Sequence, residues 1–233
     1  MVNYFSYVFL VIGALLLFWS FYPIVSFEIY SRFFIQNKVQ SPIPVSNIVS
    51  SLEQANSVLG NFNVFSNNLR DFTKVNLWFP AAASSSEKRT FAVNKYYLSI
   101  PKLNIQNAIV SVGGEDLTKG LVHYLPKSLP GEYGNVVIFG HSTLPQLYNP
   151  KDYKSIFTYL PSLEKNDKIL VKVGDIAYEY EIYDIFVINP DQVSVLEPRN
   201  DAAYITLVTC VPPGTYWKRL VVRAKLSKLP DNF

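Results

Sequence analysis

The chain carries one cysteine, Cys210, with Arg219 nine residues after it and two histidines, His123 and His141, upstream. A thiol attacks as its thiolate, and its ordinary pKa of about 8.5 falls when an imidazolium or a guanidinium stands beside it. Cys210, His141 and Arg219 are therefore a candidate nucleophilic set, provided the fold brings them together. A lone cysteine is most often a small buried hydrophobe, so the case rests on the elements that position the three.

Those elements read as strand ends. Along Ala203-Tyr-Ile-Thr-Leu-Val-Thr-Cys210 the side chains alternate, with Ile205, Leu207 and Thr209 on one face and Tyr204, Thr206, Val208 and Cys210 on the other. The following Val211-Pro-Pro-Gly-Thr215 must leave the ladder, because consecutive prolines cannot donate hydrogen bonds to it. Trp217-Lys-Arg219 opens the next strand and returns Arg219 to the mouth of that loop. Arg223 shares its face about 13 Å farther along, so only one of the two arginines can stand beside the thiol. Asn135-Val-Val-Ile-Phe-Gly140 reads as a buried strand that ends by presenting His141. His123, in Leu-Val-His-Tyr, lacks that context and is expected to serve packing or hydrogen bonding.

Beyond residue 91 the chain is a succession of short Val-, Ile- and Tyr-rich segments punctuated by Gly, Pro and Asn, an all-β pattern. Strands are expected at 97–100, 108–112, 135–139, 168–173, 177–188, 203–209 and 219–226, and one short helix at 152–160, where Ile156, Phe157 and Leu160 have helical spacing. Closing such a sheet removes its exposed edges.

The 233 residues, 49% hydrophobic and 15% aromatic, suffice for one folded core. A net charge of +3, scattered along the chain, argues against a nucleic-acid binder. Sixteen Phe, sixteen Tyr and three Trp argue against disorder. One cysteine excludes an intramolecular disulfide and a multi-cysteine zinc site, and two histidines leave few ligands, so no metal and no cofactor are expected.

The first charged residue is Glu28, so residues 1–27 are uncharged and long enough to cross a bilayer core, which takes about 20 residues of helix. No basic start or small-x-small cleavage site accompanies them, which favours a retained transmembrane anchor over a cleaved signal. Residues 28–90 are expected to form a juxtamembrane linker, with an amphipathic helix at 47–71, and residues 91–233 the β domain. Arg32 and Lys38 flank the span on its C-terminal side, which by the positive-inside rule alone would place that side in the cytoplasm. Large C-terminal domains are exported regardless of two such charges, so the chemistry downstream decides the side.

Thr206-Leu-Val-Thr-Cys210, Arg219 and Asn135-Val-Val-Ile-Phe-Gly-His141 together resemble the sortase transpeptidases. Leu98-Ser-Ile-Pro-Lys-Leu-Asn104, Gly120-Leu-Val-His-Tyr124, Leu129-Pro-Gly-Glu132 and Asp184-Ile-Phe-Val-Ile-Asn-Pro190 also resemble sortase segments, in the family's order. In motif layout the chain is nearest the class C, D and E groups. It departs from many housekeeping-like and pilin-linking sortases in having Val211-Pro-Pro-Gly214 after the cysteine. Leu77-Trp-Phe-Pro80 is only a loose analogue of the lid of the pilin-assembling class.

The resemblance implies a closed eight-stranded β-barrel behind a single-pass anchor, its N-terminus cytoplasmic and its barrel outside the membrane. It implies that Cys210 attacks an LPXTG-like sorting signal between Thr and Gly to form a thioester, with His141 as general acid and base and Arg219 orienting the peptide and stabilising the oxyanion. Thr209, Val211, Leu207 and Ser142 would add substrate contacts. The partners implied are secreted proteins bearing the signal and an amine acceptor, either a lipid-linked cell-wall precursor or a pilin lysine. The alternative is a non-catalytic membrane-anchored β-barrel that binds peptides or scaffolds a cell-wall complex, its cysteine merely buried. An L,D-type transpeptidase is disfavoured, because no Ser-x-Gly-Cys-x-Arg surrounds Cys210.

Overall fold

Alternating β-branched and aromatic residues build eight strands in the computed structural model of the chain: β1 (Lys95–Ile100), β2 (Ile105–Val112), β3 (Leu121–His123), β4 (Gly134–Phe139), β5 (Lys168–Val173), β6 (Ile176–Ile188), β7 (Ala203–Val211) and β8 (Lys218–Lys228). The structure describes residues 2–35, 73–75, 78–79, 91 and 93–228. The helix expected at 47–71 lies outside the described residues.

The strands close into a barrel in the order β1-β2-β3-β4-β7-β8-β6-β5. Neighbours run antiparallel except β2 with β3 and β4 with β7, which are parallel. Ile205, Leu207 and Val211 of β7 join Tyr96, Ile138, Tyr180 and Leu220 in the interior core. The other face of β7 is buried too: Val208 and Cys210 pack with Phe139, Val221, Trp78 and Phe79 in a second cluster. The two faces divide as the alternation predicts. That second layer explains why β7 is buried along its whole length.

Two expectations fail for identifiable reasons. Residues 152–160 form no helix: the chain runs through consecutive turns into a 3-10 turn at Leu160–Ser162. Ser155, Thr158 and Leu160 each bond to the carbonyl three residues back, and the Phe157 amide donates instead to the His141 carbonyl at 2.9 Å. The Asp152 carboxylate accepts from the Lys154 amide, and the Ser155 hydroxyl accepts from the Asn149 amide. These side chains draw the backbone away from helix, as Asp and Ser do. Ile156, Phe157 and Leu160 are nevertheless buried. The second omission is β3, whose three residues are too few to show a period.

His123 lies in this core with no exposure, its ring edge-on to Tyr96 at 5.9 Å, and neither ring nitrogen has a partner among the described residues. Burial pulls its pKa down to about 3. The unfolded chain therefore takes up the proton first, so this contribution to stability is complete above about pH 6.5 and is lost as the pH falls toward about 3. His123→Phe should keep the ring contact and flatten the fall of the thermal midpoint between about pH 6.5 and pH 4. An unchanged pH slope would assign the acid sensitivity elsewhere.

Ahead of the barrel, α1 (Val2–Tyr30) continues into a π-helical turn at Ser31–Ile35. It is long and apolar enough to cross a membrane, and its side chains are exposed over most of its length. Its last turns are seated on the barrel. Phe27 and Ile35 are buried in the interior cluster, Ser31 is buried, and Glu28 Oε1 stands 3.5 Å from Lys218 Nζ and 3.3 Å from Arg32 Nε.

Candidate active site

Strand register brings the three residues together. Cys210 of β7 stands directly opposite Arg219 of β8. On the other side, β4 runs parallel to β7 with Phe139 opposite Val208, and the Gly140 amide continues the ladder to the Val208 carbonyl at 3.2 Å. His141 follows just past the end of β4, two residues after Phe139, as Cys210 follows two residues after Val208. Val208, Cys210, Phe139 and Val221 share the outer layer, so parity puts His141 and Arg219 on that same face. Arg223 is also on it but stacks over Phe186 at 5.0 Å, away from the thiol.

The ends of β4 and β7 are fixed by polar bonds. The Thr209 hydroxyl donates to the Gly140 carbonyl at 2.8 Å, and the Ser142 hydroxyl donates to the Cys210 carbonyl at 2.6 Å. Asn135, at the start of β4, accepts from the Thr206 hydroxyl and donates to the carbonyls of Val195 and Glu197. That side chain ties the β6–β7 connection to the sheet. An Asn in a strand pattern reads as a turn residue, so sequence reasoning did not single it out.

The side chains of Leu207, Thr209 and Val211 point into the barrel, which leaves the backbone as the part of these residues that could meet a substrate. The reason is the two-residue period of β7: Cys210 faces out, so its odd-numbered neighbours face in. Of the four expected contact residues only Ser142 remains partly exposed, and its hydroxyl is already engaged.

Trp78 and Phe79 lie over this face, both fully buried. The Trp78 ring stands 5.6 Å from His141 and 5.4 Å from Phe139. The guanidinium of Arg219 sits 5.3 Å over the Trp78 ring and donates from Nη2 to the Trp78 carbonyl at 3.2 Å. Its Nη1 donates to the carbonyls of Tyr216 and Lys218. An antiparallel bridge of Lys74 to Asp116 pins the chain just before this cover. The loose lid analogue at 77–80 thus contributes two aromatic rings to the site. Their apolar character in a polar stretch was the signal available in sequence.

The cover sets the charge states. Burial pulls His141 down to about 4, against the opposing pull of Asp116 and Asp152. Burial pushes the Cys210 thiol up, against Arg219, which favours the thiolate. The covered site therefore holds a neutral thiol beside a neutral imidazole. Of the two basic groups only the guanidinium is then charged, and desolvation of the thiol outweighs its pull. Among the described residues His141 Nε2 and Arg219 Nε are buried without a hydrogen-bond partner. One can exchange a proton and the other can donate to an oxygen. No cluster of three or more His, Cys, Asp or Glu suited to a metal occurs among the described residues.

The chain is similar to several known proteins along the barrel. The chain is 28% identical to sortase D of Bacillus subtilis (strain 168) over 132 residues, covering 55% of this chain and 61% of that protein. It is 31% identical to sortase SrtE1 of Streptomyces coelicolor over 145 residues, covering 55% of this chain and 39% of the relative. The chain thus spans less than two thirds of the length of either. Among solved structures it resembles the sortase C of Streptococcus pneumoniae, at 25% identity and a TM-score of 0.52 over 64% of this chain and 79% of that one. It also resembles sortase A of Corynebacterium diphtheriae, at 26% identity and a TM-score of 0.51 over 80% and 85%. These relatives carry several subclass names. The sortase domain model matches residues 98–227, more than half of the chain. Because that match runs from β1 to β8, and so takes in the whole barrel and not only the strands around Cys210, the chain belongs to the sortase family.

Proposed function

We propose that the chain is a membrane-anchored cysteine transpeptidase that cleaves an LPXTG-like sorting signal between Thr and Gly and passes the acyl group to an amine. The observation that carries this reading is that Arg219 stands opposite Cys210 and His141 follows the end of the neighbouring β4, each of the two basic groups having a nitrogen without a partner among the described residues. As substrate enters, His141 takes the thiol proton and the Cys210 sulfur attacks the Thr carbonyl carbon. The oxyanion that forms accepts from Arg219, a fixed cation in a water-poor site. The imidazolium then gives its proton to the departing glycine nitrogen as the C–N bond breaks and leaves the thioester. In the second half His141 takes the proton of the incoming amine, whose nitrogen displaces the sulfur.

The acceptor is an amine of a cell-wall precursor or a pilin lysine, both outside the cytoplasmic membrane. That places the N-terminus of α1 in the cytoplasm and the barrel outside. Support for a pilin comes from likeness alone: the pneumococcal sortase C is described for its pilin substrate specificity.

The test is intact-mass spectrometry of the full chain in detergent micelles with Leu-Pro-x-Thr-Gly peptides and small amines. The expected products are an acyl adduct on Cys210 that has lost the glycine fragment, and a Thr-amine conjugate. A folded chain whose thiol is alkylated but never acylated would favour the non-catalytic barrel.

A further inference from the structure

The sheet holds the start of β8 on one side only. Lys218, its first residue, pairs with Val211 of β7, whereas the ladder to β6 ends one residue later, at Ile188 with Arg219. Yet this short stretch fixes the arginine: of the three carbonyls that accept from the Arg219 guanidinium, two belong to Tyr216 and Lys218. Tyr216 and Trp217 are 48% and 58% exposed, so the core holds them only in part.

Further support comes from α1. By the two-residue period Lys218 shares the inward face of β8 with Leu220 and Val222, and as the first residue it stands at the end of the barrel. There its Nζ meets Glu28 Oε1 at 3.5 Å. Phe27, the residue before Glu28, is buried with Ile35 in the interior cluster that includes Val211 and Leu220, and Ser31 between them is buried as well. A helix of 3.6 residues per turn would leave Ile35 rotated by about 80° from Phe27. The wider π-helical turn at Ser31–Ile35 takes up that excess and returns both side chains to one face. The Glu28 and Lys218 side chains are each 31% exposed, and a pair so placed adds little stability. Its use is to set where the buried end of the helix meets β8.

We infer that the seated end of α1 is a positioning element of the active site: through Lys218 it steadies the entry to β8, and with it the carbonyls that fix Arg219. The role of Arg219 rests on the proposed function, whereas the contact does not. Phe27 and Glu28 touch no reacting atom and act through the arginine alone. A tether that only kept the barrel near a membrane would need no such seat. Here the apolar helix completes, from outside the sheet, the support of the oxyanion donor.

The test uses the full chain in detergent micelles. Phe27→Asp should unseat the helix end and lower kcat about tenfold with little change in KM, as a small displacement of a positioned group does. Introduced into Arg219→Ala it should cost nothing further, because effects that pass through one residue do not add. Glu28→Lys sets two ammonium groups face to face and should lower kcat about threefold, and Lys218→Glu in the same chain should restore it. A merely structural loss gives no such rescue, and the charge exchange removes no apolar group, so it decides even where Phe27→Asp does not fold. Hydrogen exchange read by mass spectrometry needs no turnover: residues 215–219 should exchange about tenfold faster in Phe27→Asp and about threefold faster in Glu28→Lys, while 203–209 stay protected. Unchanged exchange at 215–219 would overturn the inference even in a chain that transfers peptides. So would a loss of kcat that repeats in full in Arg219→Ala, or a charge exchange that restores nothing. Faster exchange in a chain that transfers no peptide would instead uphold the seat and count against the proposed function, so the two failures are told apart.

Discussion

Cys210→Ala should abolish thioester and transfer product alike, and Arg219→Ala should lower kcat/KM by about two to three orders of magnitude, the usual cost of removing a donor to an oxyanion. The arginine is the more informative of the two. The residue is 2% exposed and its guanidinium is held by three backbone carbonyls, with Nε left over among the described residues. Lysine cannot reproduce that planar fork, so Arg219→Lys should recover little activity despite keeping the charge. Among the described residues no carboxylate pairs with Arg219, and its loss strands three carbonyl acceptors at the barrel's outer face, which costs some stability without unfolding the barrel. Circular dichroism of Arg219→Ala should therefore match that of the natural chain while kcat falls more than KM rises. Natural rates in Arg219→Ala would end the oxyanion assignment.

The second large effect runs the other way. Trp78→Ala should raise the rate of Cys210 alkylation by iodoacetamide at neutral pH by about ten- to a hundredfold, because it restores water to a thiol that is now 6% exposed. With less burial the pKa of His141 moves up from about 4 toward the ordinary 6.5, and that of Cys210 moves down from its raised value. The alkylation–pH profile should shift toward lower pH accordingly. The cavity costs some stability, as large-to-small changes do, but Trp78 sits outside the closed sheet, and the barrel core beneath it keeps its own contacts. An alkylation rate that does not change would mean that Trp78 does not control access to the thiol.

The sequence revealed the parts of the site that follow from strand period. Alternation along β7 put Cys210 and Val208 together, the prolines after Val211 ended the strand, and the return at Trp217 set Arg219 against the thiol. What stayed hidden depended on layers. Nothing local in residues 203–211 tells that both faces are covered, because the second cover comes from Trp78 and Phe79, more than a hundred residues away. The same cover pulls the pKa of His141 down to about 4, which no local feature of the sequence signals. The turns at 152–160 were misread because Ile156, Phe157 and Leu160 satisfy a helical period while Asp152 and Ser155 take the backbone elsewhere.

The barrel is fastened unevenly around its circumference. β3 joins β4 by only two register pairs, Val122 with Phe139 and His123 with Ile138, and joins β2 by three. β4 and β7 share six pairs, and β7 and β8 share eight. The β3 seam, beside the strand β4 that leads to His141, is thus the shortest of those around the site. The bonds from Thr206 to Asn135 and from Thr209 to Gly140 lie on the other side of β4. Strands β4, β7 and β8 are thus tied by longer ladders and by these bonds, and they carry His141, Cys210 and Arg219. Loosening at the β3 seam would leave the ladders that hold these three residues together intact.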